Sequence, residues 1–216
     1  ESRGLGDVYK RQIDKILSKL NIKYLMVGDD FKFGKERSGD FDFLSNWGSN
    51  NQIKVDRIPT HSFEGRRVSS TWIRESIADG NFELAEKLLD RRYTFSGKVV
   101  FGNRVGRTIG IPTANIWVPK SNLPIKGVYA VKALVKGETF NGIANMGVRP
   151  TVGGTSPVLE IHIFDFNEEI YGYRIEVEFY QKIREERKFE NLNKLKEQIN
   201  LDIEETRKYF LSKWRN

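Results

Sequence analysis

Residues 97–116 read GKVVFGNRVGRTIGIPTANI, and this stretch says most about the fold of the 216-residue chain. An apolar run typical of a β-strand leads into a loop that holds three glycines and two arginines: Gly102, Gly106, Gly110, Arg104 and Arg107. Glycines let backbone N–H groups approach an anion closely, and the arginines add positive charge. The stretch therefore predicts a strand followed by an anion-binding loop. It is not a P-loop, because GxxxxGK[ST] occurs nowhere in the chain.

The loop ends in the sequence PTAN, residues 112–115. Pro112 favours an extended conformation for the residue before it. On an extended chain, Thr113 and Asn115 project to the same side. A hydroxyl and an amide oxygen are hard ligands suited to a hydrated magnesium ion. The alternative is a Gly/Pro turn in which both side chains satisfy local backbone groups, and the spacing alone leaves both readings open.

A second candidate lies in the sequence LEIHI, residues 159–163. The alternation predicts a strand that places Glu160 and His162 on one face and three aliphatic residues on the other. A carboxylate in apolar surroundings can act as a general base. The alternative is an ordinary solvated strand face.

The sequence pattern differs on the two sides of residue 90. Before it, short apolar strands alternate with helical spacing, as in an α/β layer. After it, strands follow one another without helices, which favours a small antiparallel barrel or sandwich. The predicted strands cover residues 93–101, 128–135, 139–144, 158–166 and 174–183. A C-terminal helix is expected to pack on the outside through one apolar stripe: Leu192, Leu195, Ile199, Ile203, Thr206 and Phe210.

The charge divides at the same place. Residues 1–90 carry equal numbers of acidic and basic residues, so the formal net charge of +7 lies entirely in residues 91–216. A basic domain favours anionic partners, and the alternative is a charge that only keeps the protein in solution. We therefore expect a domain boundary near residue 90.

Composition excludes several classes of protein. The chain has no cysteine and two histidines, which rules out a disulfide framework, a thiolate zinc site and a histidine-rich metal site. No apolar run approaches the ~20 residues of a membrane span, so we expect a cytoplasmic protein with no membrane partner. Residues 1–12, ESRGLGDVYKRQ, show no amphipathic period, and we expect a non-native or disordered start.

The basic half also carries a family resemblance. The stretch 97–116 is followed in order by GVYAV, GIANMGVRPTVGG, LEIHIFDF, IYGYRIEVEF and KIREERKFENLNKLKEQINLD. Together these segments closely resemble the riboflavin kinase module of bacterial bifunctional riboflavin kinase/FAD synthetases. The resemblance implies that residues 91–216 form a six-stranded antiparallel Greek-key β-barrel with a C-terminal helix. It also implies transfer of the γ-phosphate of ATP to the 5′-hydroxyl of riboflavin, which gives FMN.

The same resemblance implies roles for individual residues. Thr113 and Asn115 look like the ligands of magnesium and phosphate, and Glu160 looks like the base for the ribityl hydroxyl. The loop 102–110 looks like a flap over the ATP phosphates. Arg184, Glu186 and Phe189 match an RxExxF pattern that lies near the flavin in the family. Asn145 and residues 149–151 resemble a second loop near the nucleotide, to which no contacts are assigned. Arg184 and Glu186 are equally compatible with a surface ion pair.

Residues 13–90 resemble the latter half of the FMN adenylyltransferase module of the same enzymes. The matching segments are VGDDFKFGKERSGD and VSSTWIRESIADGNFELAEKLLDRRY. They imply a partial Rossmann-like nucleotidyltransferase domain, and therefore an α+β protein overall. The implied site residues are Gly28, Asp29, Asp30 and Phe31 beside the nucleotide, with Ser69, Ser70, Thr71 and Arg74 at the ATP phosphates. A helix N-terminus with hydroxyls is suited to an anion, and the alternative is a plain Ser/Thr N-cap.

The module's HxGH-type motif is absent, since neither His61 nor His162 lies in such a pattern. We therefore expect a sheet with an open edge and exposed apolar surface. We also expect that this chain alone does not adenylylate FMN efficiently.

Two other functions remain open. The chain is compatible with a fragment of a bifunctional enzyme whose longer form also makes FAD. A more distant alternative is a basic barrel that binds single-stranded nucleic acid through aromatic and basic residues on one face. The barrel aromatics are scattered and expected in the core, so we expect no nucleic-acid partner: Phe95, Phe101, Tyr129, Phe164 and Phe179. The oligomeric state is left open.

Overall fold

The computed structural model describes residues 13, 15–17, 19–102, 105–119, 123–151 and 154–213. The chain divides into two compact units, Glu1–Val68 and Ser69–Asn216. Within the described residues, no helix is long and apolar enough to cross a membrane.

The first unit is built around a parallel strand pair. Strands β1 (Tyr24–Gly28) and β2 (Lys54–Ile58) pair in register and are connected through a 3-10 turn (Lys35–Arg37) and helix α1 (Phe41–Asn50). Asp40 caps α1, because its carboxylate accepts a hydrogen bond from the Phe43 N–H at 3.1 Å. The short strands β3 (Ser62–Phe63) and β4 (Arg66–Arg67) form a hairpin. This β-α-β order confirms the predicted α/β layer.

Part of this small sheet is uncovered. Tyr24 and Met26 on β1 are 44% and 49% exposed, and Ile58 on β2 is 47% exposed. Parallel sheets are usually covered on both faces. The prediction of exposed apolar surface in this half of the chain is confirmed at these three residues.

The second unit begins with helices α2 (Ser70–Ala78) and α3 (Phe82–Leu89). Both begin at a side-chain cap, Ser69 for α2 and Asn81 for α3. Their apolar faces join the core of the strands that follow, and the Phe82 ring stacks on Phe179 at 5.9 Å. The boundary expected near residue 90 therefore does not coincide with the division between the compact units, because the apolar faces of residues 70–89 are buried against the later strands.

Those strands close into a barrel, as the family resemblance implies. Its members are β5 (Thr94–Val100), β6 (Ala114–Trp117), β7 (Gly127–Val135), β8 (Glu138–Thr151), β9 (Gly154–Ile163) and β10 (Arg174–Arg184). The order around the barrel is β10-β5-β6-β9-β8-β7, and every neighbouring pair is antiparallel. The meander β7-β8-β9 with β6 returning beside β9 is a Greek key. Pattern reading missed β6, which is only four residues long and follows the short helix α4 (Val105–Thr108).

The inside of the barrel is filled by alternate residues of its strands. Tyr129, Leu159, Ile161, Val177 and Phe179 are all at most 1% exposed. The Tyr129 hydroxyl donates to the Lys126 carbonyl at 2.7 Å and accepts from the Lys126 N–H at 2.8 Å. Four of the five aromatic residues expected in the core are buried or pack against it, whereas Phe101 is 69% exposed and stacks on Tyr171.

Helix α5 (Leu192–Lys213) packs on the outside of the barrel, against β7, β8 and β10. Its inward side carries Thr206 and Phe210, as predicted, together with the buried Asp202. Leu192 does not belong to this side, since it is 54% exposed at the first residue of the helix. The α+β architecture with a closed six-stranded barrel and a C-terminal helix agrees with the prediction.

Candidate active site

One cross-strand row runs around the barrel and carries most of the candidate residues. The register pairs Asn115 of β6 with Glu160 of β9, and Glu160 in turn with Asn145 of β8. Asn145 pairs with Val128 of β7, which pairs with Arg184 of β10. Residues that pair across neighbouring strands share a face of the sheet. Positions far apart in the sequence therefore meet on one surface.

This row lies on the outer face of the barrel. The residues on either side of Glu160, Leu159 and Ile161, are fully buried in the barrel core. Since successive side chains of a strand point to opposite faces, Glu160 points outward. The outer surface there is covered by α5 and the loop before it, which leaves a cavity between the barrel wall and the helix.

The cavity beside this row, called the main cavity below because it holds most of the candidate residues, has a volume of about 350 Å³. One part of its lining is apolar: Ile109, Ile111, Val128, Ile143, Phe189, Leu195 and Ile199. The other part is polar: Thr113, Asn145, Glu160, His162, Arg184, Glu186, Arg187 and Asp202. An apolar wall that faces a few convergent polar groups is typical of a small-molecule site. The cavity brings together the predicted residues Gly106, Thr113, Glu160, Arg184, Glu186 and Phe189.

Two of the predicted loop glycines allow the backbone to approach the PTAN turn closely. A Cβ at residue 102 would overlap the side chain of Asn115, and a Cβ at residue 106 would overlap the Ile111 carbonyl. The Ile111 N–H also donates to the Gly106 carbonyl at 2.8 Å. Gly102 thus lies directly against the side chain of Asn115, which is 5% exposed, and Gly106 lies against the backbone just before the PTAN turn. Gly110 lies in the exposed turn after α4, and Arg104 lies outside the described residues.

Arg184 is fixed by an ion pair with α5. Its Nε lies 2.9 Å from both carboxylate oxygens of Asp202, and its Nη2 lies 2.7 Å from Oδ2. The two side chains are 19% and 3% exposed. The alternative of a surface ion pair between Arg184 and Glu186 is therefore wrong, because the partner is Asp202 and the pair is largely buried.

The other two residues of the RxExxF pattern lie beside this pair. The Glu186 carboxylate approaches β8 so closely that a Cβ at Gly147 would overlap it. The Phe189 ring lies 5.6 Å from the Arg184 guanidinium and 4.9 Å from that of Arg187. All three predicted flavin-side residues are thus at the end of the main cavity nearest α5.

A second, smaller cavity of about 130 Å³ shares Thr113 with the first. Arg107 lines this cavity and not the main one. Its other wall comes from the connection between β9 and β10, including Phe166, Ile170 and Tyr171. Sequence reasoning missed this wall, because its residues carry no charge pattern or motif that marks a site. Thr113 therefore lies where the two cavities meet.

The donor set is suited to magnesium only as part of a nucleotide complex. Among the described residues, no group of three or more His, Asp or Glu side chains is placed to hold a metal ion. Thr113 and Asn115 offer two neutral oxygens, and Mg²⁺ is commonly bound through few protein ligands plus substrate phosphates and water. The predicted pair fits an ion that arrives with phosphate.

The candidate nucleotidyltransferase residues have structural partners of their own. Gly28 ends β1, and Asp29 next to it accepts hydrogen bonds from the Thr60 hydroxyl and N–H, which lower the pKa of Asp29. Asp30 pairs with Arg67 at 2.7 Å, which lowers the pKa of Asp30. Phe31 stacks on a neighbouring phenylalanine ring at 5.6 Å. Nucleotide binding by these residues stays a prediction.

At the start of α2, Ser69 forms the N-cap. Its hydroxyl oxygen accepts from the Trp72 N–H at 3.2 Å. The next three candidates, Ser70, Thr71 and Arg74, are exposed. This is the geometry of the N-cap alternative, and the exposed first turn also suits an anion. A role at ATP phosphates stays a prediction.

Several lining residues were not predicted. Asp202 and His162 are polar groups of the main cavity, and His162 was noted only as the partner of Glu160 on one strand face. The apolar residues Ile109 and Ile111 carry no signal that separates them from core residues. The alternation of β9 is the one signal that pointed to His162.

Two families match the sequence. Riboflavin kinase matches residues 89–210, and FAD synthetase matches residues 8–72. The chain is 46% identical over 209 residues to a bifunctional riboflavin kinase/FMN adenylyltransferase from Haemophilus influenzae, covering 96% of this chain and 67% of that protein. Proteins of the same name from Escherichia coli K12 and Bacillus subtilis 168 are 43% and 38% identical, covering 91% and 93% of this chain and 63% and 65% of theirs. The chain spans about two thirds of the length of these relatives.

A solved structure is similar as well. A crystal structure described as a macrolide-efflux protein from Streptococcus pneumoniae is 34% identical, with a TM-score of 0.71. The similarity covers 91% of this chain and 64% of that one.

Proposed function

Because this chain belongs to the family of bifunctional riboflavin kinase/FMN adenylyltransferases, we propose that it is a riboflavin kinase that phosphorylates riboflavin with ATP to give FMN. One observation carries this proposal. Glu160 lies between Asn115 and Asn145 in the cross-strand row and lines the main cavity together with Thr113. A carboxylate is thus held at the wall of a half-apolar cavity that shares Thr113 with a second one.

Glu160 is the proposed base. It orients the 5′-hydroxyl of riboflavin and accepts its proton as the oxygen–phosphorus bond forms and the bond to the leaving ADP breaks. Phosphoryl transfer depends mainly on positioning and charge stabilisation, so one well-placed carboxylate is sufficient. The in-register strands supply this positioning.

The apolar part of the main cavity suits the isoalloxazine ring of riboflavin. Val128, Ile143 and Phe189 line that part. The polar part, around Glu160, suits the ribityl chain with its hydroxyl groups. We therefore place the flavin in the main cavity, where Arg184 and Glu186 would lie next to it.

The nucleotide is placed toward the smaller cavity. Arg107 supplies positive charge there, and Gly102 and Gly106 allow the loop to lie close above the PTAN turn. Thr113 and Asn115 would hold magnesium together with the phosphates, and the ion would neutralise charge that develops on them. The loop excludes water from the phosphates when it lies over them.

We further propose that the chain as printed does not convert FMN to FAD at an appreciable rate. The match to FAD synthetase covers residues 8–72, and the printed sequence holds no HxGH pattern. The longer relatives are named as having both riboflavin kinase and FMN adenylyltransferase activity. The second candidate is therefore the bifunctional activity in a longer form of this protein.

A product assay tests both proposals. Purified chain is incubated with riboflavin, ATP and magnesium, and the flavins are separated by chromatography with fluorescence detection. FMN alone supports both proposals. FAD above a no-enzyme control overturns the second one, and the absence of FMN from folded protein overturns the first.

A further inference from the structure

His162 is the second histidine of the chain, and its side chain links strand β9 to the segment that leads into β6. One ring nitrogen, Nδ1, lies 2.8 Å from the carbonyl oxygen of Pro112, fifty residues away in the sequence. A carbonyl oxygen can only accept, so Nδ1 carries the proton and donates. The ring also packs edge-on against Phe164 at 5.7 Å. The tautomer and the orientation of the ring are therefore both set.

The position of this link in the β6–β9 ladder explains what it does. The last backbone pair of that ladder joins Ala114 to Ile161. One step further along the same register, Thr113 would face His162. The ladder ends there, and the His162 side chain takes the carbonyl of the residue before Thr113 instead. The hydrogen bond from His162 thus adds one further contact between the two segments, directly beyond the last backbone pair of the ladder.

On the basis of the proposed kinase function, we propose that His162 is a positioning residue for the nucleotide side of the site. It holds the Pro112 carbonyl and thereby fixes the backbone next to Thr113, which lines both cavities. It acts through Pro112 and Thr113, and takes no proton from the substrate. A hydrogen bond of this kind stabilises the turn modestly, so its loss is expected to weaken nucleotide binding by about 3- to 10-fold.

The test uses two amides of different length. In His162→Asn the amide nitrogen takes the place of Nδ1 and keeps the donor to Pro112. In His162→Gln the amide reaches the place of Nε2 and does not. His162→Phe keeps the ring packing without any donor. The matched control is His61→Gln, since His61 is exposed in the first unit.

Binding of Mg·ADP is measured by calorimetry on the full chain, because it does not require turnover. We expect a Kd within about twofold of wild type for His162→Asn and His61→Gln, and about 3- to 10-fold weaker binding for His162→Gln and His162→Phe. In steady-state kinetics the KM for Mg·ATP should rise in the same two variants by more than the KM for riboflavin does.

Unchanged Mg·ADP binding in His162→Gln overturns the inference. So does a His162→Asn variant that binds as poorly as His162→Phe, since the ring and not the Nδ1 donor would then be responsible. If His162→Phe does not fold, the Asn/Gln pair still decides. A wild-type chain that binds Mg·ADP but makes no FMN would refute the kinase proposal and leave the positioning test intact.

Discussion

At the scale of single residues, Glu160 is distinguished from other outward-pointing glutamates by its neighbours and not by its own chemistry. Its side chain points outward from the barrel, as many exposed glutamates do. What distinguishes it is that Asn115 and Asn145 lie beside it on the two flanking strands and that it lines a cavity. The strands place three polar side chains in a line with no loop involved.

Glu160→Gln is expected to lower kcat by about 10²–10⁴, the usual effect of losing an acid–base group. The amide keeps the size of the side chain, so Mg·ADP binding should stay within about twofold of wild type. Glu176→Gln on the outer side of β10 is the matched control, because Glu176 is exposed and lines neither cavity. Wild-type turnover in Glu160→Gln would contradict the assignment of the base.

At the scale of elements, the attachment of α5 to β10 shapes the main cavity. The Arg184–Asp202 pair joins the end of the last strand to the third turn of the helix, and Gln198 donates to Asp202 at 2.7 Å. A second Arg–Asp pair, Arg207 with Asp165, also joins α5 to the barrel, but its side chains are 46% and 78% exposed. The two pairs have the same chemistry and differ in burial.

Asp202→Asn is expected to destabilise the fold by about 3–5 kcal/mol, because it leaves a largely buried guanidinium without its counter-charge. Asp165→Asn, the matched control, should cost at most about 1 kcal/mol, since exposed pairs are screened by water. Urea unfolding of both variants checks the difference. Equal losses would show that burial does not set the contribution of these pairs.

Inside the barrel, the buried Tyr129 is expected to lower the stability of the fold at alkaline pH. Burial raises the pKa of Tyr129 to about 12 from 10.0, chiefly because the phenolate would lose its hydration. A pKa that is higher in the folded state means that the neutral form is favoured by folding. This contribution is complete below pH 10 and is lost as the pH rises from about 10 to about 12.

Tyr129→Phe is therefore expected to reduce the loss of stability between pH 9 and pH 11.5. The variant also removes the two hydrogen bonds to Lys126, so it should be less stable than wild type at neutral pH by roughly 1 kcal/mol. Denaturation midpoints across the alkaline range provide the measurement. If both proteins lose stability equally as the pH rises, Tyr129 is excluded as a source of that loss.

At the scale of the whole molecule, the two compact units have separate hydrophobic cores. The proposed kinase site is built from residues of the second unit alone. A ligand that binds only the folded form stabilises it by about 2.7 kcal/mol at a hundred times its Kd.

Mg·ADP is accordingly expected to raise hydrogen-exchange protection in the barrel strands and to leave β1 and β2 unchanged. Peptides from residues 24–58 serve as the internal control in the same sample. Protection in those peptides would show that the nucleotide is also bound by the first unit.

Local sequence patterns indicated the class of the fold and suggested the polar groups of the candidate site. Period-two strands without helices between them favour a barrel, and the PTAN and LEIHI segments name the polar groups. These patterns depend on residues that are close together in the sequence, so they can be recognised without knowing which residues pair across strands. Strand β6 is too short to show a period, and the apolar stripe of α5 was right except at Leu192, which is exposed at the end of the helix.

Which residues meet depends on the tertiary fold. The cross-strand register joins Asn115, Glu160 and Asn145, and no spacing in the sequence specifies that register. The partner of Arg184 is Asp202 on α5, because the helix packs against the end of β10. Helices α2 and α3 cover the barrel although the charge pattern divides the chain after them, since buried apolar area and not net charge decides packing.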